Sequence, residues 1–128
     1  MRWGLDAYLD LLHGGILNRS LYYDVLRPDI LRLRNLTTDL SFRDPKFWGP
    51  AIDRSERVVA GGWKMKRHNF GIGGVQLRLC VALVDEDAYL CHAYVKTSGP
   101  QDKRMAGSLK DKIGLIRSGS HDERGELP

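Results

Sequence analysis

Apolar positions in the first third of the chain recur on helical spacing. Leu5 to Leu12 forms an apolar-rich helical segment stopped by Gly14-Gly15, and Leu17, Leu21, Val25 and Leu26 continue the spacing up to Pro28. Pro28 suits the first turn of a following helix, in which Ile30, Leu33 and Leu36 make a stripe. Asp44-Pro45 and Gly49-Pro50 mark a loop, and the segment 42–57 shows no period that assigns an element. From Val58 the period falls to two. Val58-Val59 and Trp63 to His68 read as strand, Asn69 to Gly74 as a hairpin loop, and Val75 to Val84 as the clearest strand. Asp85-Glu86-Asp87 reads as a turn and Ala88 to Lys96 as a further strand. Gly99-Pro100 opens a last helix to about Arg117, with Met105, Leu109, Ile113 and Ile116 on one side. The expected fold is α+β in one domain spanning 1–128. It comprises a helical part (1–57), an antiparallel β-meander (58–97), a C-terminal helix (100–117) and a polar tail (118–128).

Strand alternation assigns faces. In Val75–Val84 the odd positions are all aliphatic, so they form the core face and Arg78 points away from it. In Ala88–Lys96 one face carries Tyr89, Cys91, Ala93 and Val95, and the other carries Leu90, His92, Tyr94 and Lys96. With a three-residue turn at 85–87, odd residues lie opposite odd residues, and Arg78 shares a face with His92, Tyr94 and Lys96. An odd-length loop around Asn69–Gly74 adds Lys64, Lys66 and His68 to that face. The expectation is a cationic sheet face that carries no carboxylate.

Charge strengthens this picture. The chain has 20 Lys+Arg against 16 Asp+Glu, and the excess lies in the middle of the chain. From Arg57 to Val84 there is no acidic residue, while Arg57, Lys64, Lys66, Arg67 and Arg78 fall there with Trp63 and His68. A field of one sign suits a polyanion, and like charges opposite each other weaken a sheet unless an anion joins them. No apolar run reaches the ~18–20 residues of a membrane-spanning helix. Asp6 and Asp10 interrupt any leader-like core, so no membrane partner and a cytoplasmic location are expected. Cys80 and Cys91 are too few for a disulfide scaffold and read as buried packing residues.

Lys, Arg, His and Tyr together suit cleavage of an RNA phosphodiester by its own 2′-hydroxyl. That reaction needs a base, cations for the phosphorane-like charge, and an acid for the leaving 5′-oxygen, with no metal or other cofactor. Crowding Lys64, Lys66 and Arg78 lowers the lysine pKa values and so favours a lysine base. His13, His68, His92 and His121 lack metal-ligand spacing. Gly71-x-Gly73-Gly74 joins two strands and lacks the following helix of a phosphate loop.

Trp63-Lys64-Met65-Lys66, then Gln76-Leu77-Arg78-Leu79 in the next strand, resembles the RelE/HigB superfamily of toxin–antitoxin ribonucleases. So does the run Tyr89-Leu90-Cys91-His92-Ala93-Tyr94-Val95-Lys96-Thr97 ahead of a basic helix. The resemblance covers about residues 58–117. It implies a RelE-like fold and cleavage of mRNA, commonly on the translating ribosome, with a cognate antitoxin as partner. By position it implies catalytic roles for Lys64, Lys66 and Arg78, with His92 and Tyr94 as acid or base-stacking groups. Arg57, Arg67, His68, Gln76 and Lys96 are the expected RNA-binding residues. Two other readings remain open: a non-catalytic member of the fold that inhibits a host protein such as gyrase, and a simple nucleic-acid-binding module.

Overall fold

A computed structural model describes residues 2–3, 20, 22–70 and 74–119. The expected helix at 5–12, the Gly14-Gly15 stop, residues 71–73 of the expected Asn69–Gly74 loop and the tail beyond Gly119 lie outside the described residues. Among the described residues the sheet has five strands: β1 (Arg2–Trp3), β2 (Trp48–Ile52), β3 (Val58–Phe70), β4 (Val75–Val84) and β5 (Asp87–Val95). Their order is β1-β5-β4-β3-β2; β2 to β5 are antiparallel and β1 lies parallel to β5. A π-helical turn at Tyr22–Leu26 leads into α1 (Arg27–Leu31), which has Pro28 in its first turn. Two 3-10 turns follow at Arg32–Asn35 and Leu40–Arg43. The C-terminal helix α2 runs from Gly99 to Ser118, is capped by the Ser98 side chain, and ends on Gly119 at φ 75°. The α+β class and the meander are as expected from the pattern.

Two strands were not legible in the pattern. β1 is two residues long, too short to show a period. β2 is obscured by Gly49 and Pro50, and it lies on the outer edge of the sheet, where a missing N–H costs no ladder bond. Val58-Val59 and Trp63–His68 belong to one strand, β3, in which Gly61 adopts φ 75° and the pairing with β2 shifts between Pro50 and Ile52.

Both faces of the sheet are covered, so neither is the wet face that alternation alone suggests. On one face Leu26, Ile30 and Leu33 pack against Met65, Phe70, Leu77, Leu79, Val81 and Leu90. On the other, Ala106, Leu109 and Ile113 of α2 pack against Val59, Cys80, Ala82, Val84 and Tyr94. Burying each of the larger aliphatic side chains contributes about 1.5–3 kcal/mol. Helix α2 approaches closely because Gly62 has no side chain: a Cβ there would stand 3.1 Å from Leu109 Cδ2.

The β4–β5 hairpin corrects the face assignment. Asp87 pairs with Val84, so the turn holds two residues, Asp85 and Glu86, with Asp85 in the left-handed region at φ 56°. That turn places Leu90 opposite Val81, in the first core, rather than beside His92. A bulge then shifts the register at Cys91, so that His92 faces Cys80 and Tyr94 faces Arg78. Lys112 Nζ donates to the Cys91 carbonyl at the bulge (3.3 Å).

Candidate anion-binding site

Register brings the cations together. Lys64 lies opposite Cys80, Lys66 opposite Arg78, and Arg78 opposite Tyr94. Directly opposed residues have Cβ atoms about 5 Å apart, so Lys66, Arg78 and Tyr94 form a row across three strands. Lys64 and Lys96 flank this row. The Pro45–Phe47 turn fastens β3 here. Lys66 N donates to Phe47 O (2.7 Å), Lys66 Nζ to Pro45 O (2.9 Å), and His68 Nε2 meets Lys46 O (3.0 Å). Gly49 leaves room for the lysine, whose Nζ would lie 3.3 Å from a Cβ at that position.

Contrary to expectation, the face is not free of carboxylate. Asp102, in the first turn of α2, reaches down into the cluster. Its Oδ1 accepts from the Tyr94 hydroxyl (2.5 Å), while its Oδ2 lies 3.2 Å from Lys96 Nζ and 3.8 Å from Lys64 Nζ. Alternation within strands could not reveal this residue, but the helical spacing could. Asp102 precedes Ala106, Leu109 and Ile113 by four, seven and eleven positions, which places it on the sheet-facing stripe of α2.

Each group responds to these neighbours. Burial lowers the Lys66 pKa from its ordinary value, and Lys64, Arg78 and Lys96 push it further down against the pull of Asp102. Burial acts to raise the Asp102 pKa, but the Tyr94 hydroxyl and Lys64 and Lys96 outweigh it and hold the carboxyl below the usual range. Burial, with the hydrogen bond to Asp102, raises the phenol pKa of Tyr94 and keeps it protonated. Arg78 is only 5% exposed; one guanidinium nitrogen donates to Leu77 O (3.2 Å), and its Nε has no hydrogen-bond partner among the described residues.

The remaining expected site residues divide by face. His68, exposed, shares the Lys66 face and hydrogen-bonds the Gln76 side chain. His92 is buried beside Tyr94, with ring centroids 6.4 Å apart. Arg67 points the other way: it pairs with the buried Asp29 of α1 (3.2 Å) and fastens the N-terminal helical part to β3. Arg57 sits in the β2–β3 turn, at the opposite end of β3 from the cluster. The structure thus gathers Lys64, Lys66, Arg78, Tyr94 and Lys96, with His68 and Gln76 at the margin, and leaves out Arg57 and Arg67. Cys80 and Cys91 are free and buried, and burial raises both thiol pKa values, that of Cys91 to about 11.

Among the described residues no group of three His, Cys, Asp or Glu side chains gathers to hold a metal ion, and no helix is long and apolar enough to cross a membrane. Among the described residues, four cations around one carboxylate leave an excess of positive charge in a partly desolvated setting, where an oxyanion is held more strongly than in water. Comparison with protein-family models, curated proteins and solved structures gives no match.

Proposed function

We propose that this protein is a toxin-like, metal-independent endoribonuclease. In this reading it cuts mRNA, on the translating ribosome, and is kept silent by a cognate antitoxin protein. The observation that carries the reading is the row Lys66–Arg78–Tyr94 on three adjacent strands, flanked by Lys64 and Lys96. The resemblance of the same residues to the RelE/HigB superfamily supports it.

The chemistry divides among the groups as follows. Lys66, whose lowered pKa leaves more of it as free amine, takes the proton of the RNA 2′-hydroxyl. The 2′-oxygen forms a bond to phosphorus while the bond from phosphorus to the 5′-oxygen breaks, leaving a 2′,3′-cyclic phosphate. Arg78 and Lys64 stabilise the charge that develops on the phosphorane oxygens. Tyr94, held protonated, turns its hydroxyl from Asp102 to the leaving 5′-oxygen and supplies the proton.

One observation favours binding without cleavage: the Tyr94 hydroxyl is already engaged with Asp102. The two readings separate in primer extension on cellular mRNA after brief induction, with wild type compared against Lys66→Ala and Arg78→Ala. The nuclease reading expects discrete new 5′ ends in wild type that vanish in both variants. Growth arrest without new ends would retire it in favour of a non-catalytic action on a host protein. RNA retention without cleavage would leave a binding module.

A further inference from the structure

Asp102 engages the groups that a phosphate would engage. One oxygen accepts from Tyr94 and the other lies between Lys96 and Lys64, with the carboxylate side chain 12% exposed. Two negatively charged oxygens set between two ammonium groups and a hydroxyl make the same contacts as two oxygens of a phosphate. The other half of the cluster is differently placed. No carboxylate among the described residues lies within ion-pair distance of Lys66 or Arg78, and Arg78 Nε has no partner there. The cluster therefore has one half already neutralised from within and one half that still lacks a counter-anion.

We infer that Asp102 is an internal competitor for the anion, so that a bound phosphate gains Lys64 and Lys96 only as the Asp102 carboxylate gives them up. The inference rests on the anion-binding half of the proposed function and not on cleavage. The local structure lets the side chain move without unwinding the helix. The first turn of α2 is fastened independently of Asp102: Gln101 accepts from Thr97 N (2.6 Å), donates to Val95 O (2.9 Å), and gives its own N–H to Ser98 Oγ (3.2 Å). A rotation of Asp102 about its own side-chain bonds frees both lysines while these contacts hold. The site thus carries a threshold: weakly held or diffuse anions leave Asp102 in place, and an oxyanion that reaches Lys66 and Arg78 as well displaces it.

The test compares wild type with Asp102→Asn, which keeps the shape and removes the charge. Sulfate binding is read from thermal unfolding over a sulfate series, with sodium chloride holding the ionic strength constant. General stabilisation by sulfate acts on both proteins and cancels in the comparison. The expected result is half-saturation at an about tenfold lower sulfate concentration in Asp102→Asn, a modest share of what one like charge at contact distance costs an anion near a protein surface. Equal or weaker sulfate binding in the variant overturns the inference. If Asp102→Asn does not fold alone, circular dichroism over the same sulfate series compares Asp102→Asn with Asp102→Asn/Lys96→Ala. Refolding of the first at a lower sulfate concentration than the second supports competition for Lys96, and equal refolding of the two, as general stabilisation by sulfate gives, or failure of both, overturns it. No cleavage by wild type together with a sulfate difference between the two proteins removes only the nuclease reading; cleavage by wild type with no sulfate difference removes only this inference.

Discussion

Replacing Tyr94 by Phe removes one oxygen and leaves the ring packed under α2. The lost hydroxyl donates to Asp102 Oδ1 at 2.5 Å, and the carboxylate is mostly buried. A hydrogen bond to a charged group contributes about 1.5–3 kcal/mol net, and water compensates little at a site this enclosed. For a domain of this size a loss of about 2 kcal/mol lowers Tm by roughly 5–10 °C at neutral pH. The pH dependence identifies the partner. Asp102 titrates below its unfolded value, so its contribution is fully present above about pH 4 and is lost as pH falls through the lower folded value. Without the hydroxyl the folded value moves up, and the variant loses that contribution at a higher pH than wild type. The Tm gap between Tyr94→Phe and wild type, followed by circular dichroism from pH 7 downward, should therefore close as Asp102 protonates. A gap that stays constant across that range, or a Tyr94→Phe/Asp102→Asn double-mutant cycle with coupling below about 0.5 kcal/mol, refutes the pairing as the source of the effect.

Further expectations follow from other contacts. Gly62→Ala places a methyl 2.9 Å from Val59 Cγ1 and 3.1 Å from Leu109 Cδ2, and should cost about 1–3 kcal/mol in chemical denaturation. Leu109→Ala, at a fully buried position under the same helix, should cost about 2–5 kcal/mol. Ser98→Ala removes the cap of α2 and should cost about 1 kcal/mol, measured by the same unfolding curves. Lys66, its pKa lowered by burial and by its cationic neighbours, should react with an acylating reagent at lower pH than exposed lysines such as Lys110, as read by peptide mass spectrometry. Uniform labelling of the two across the pH range would contradict the crowding.

Much of the site was readable from alternation. Lys64 and Lys66 share parity with Arg78 across β3 and β4, and the structure puts Lys66 opposite Arg78, but by a register shift between Arg67 and Phe70, with Phe70 opposite Val75, in place of the odd-length loop expected. For β5 too the alignment is as expected and its reason is not. A three-residue turn was expected to align Tyr94 with Arg78, whereas a two-residue turn followed by the bulge at Cys91 gives the same alignment. The difference shows at Leu90, which moves to the opposite face. Charge groups Arg67 with the site, although its odd position sets it on the core face, where Asp29 receives it. Asp102 was missed because its spacing belongs to α2, and only packing decides which part of the sheet a helix crosses. β2 went unread because Gly49 and Pro50 are breakers in an isolated sequence but tolerable at the edge of a sheet.

The turn at Asp85-Glu86 and the bulge at Cys91 act as two halves of one adjustment, with a consequence for how such a chain can change by insertion and deletion. Fifteen residues lie between Arg78 and Tyr94, and a two-residue turn with one bulged residue uses the same number as a three-residue turn with none. The second arrangement keeps Tyr94 opposite Arg78 and alters only the stretch between turn and bulge, where Leu90 and Tyr89 exchange faces. Loss of Cys91 alone removes the unpaired residue and leaves the row aligned on the two-residue turn. Homologous chains one residue shorter at this point should therefore keep the Arg78–Tyr94 row on a regular β4–β5 ladder.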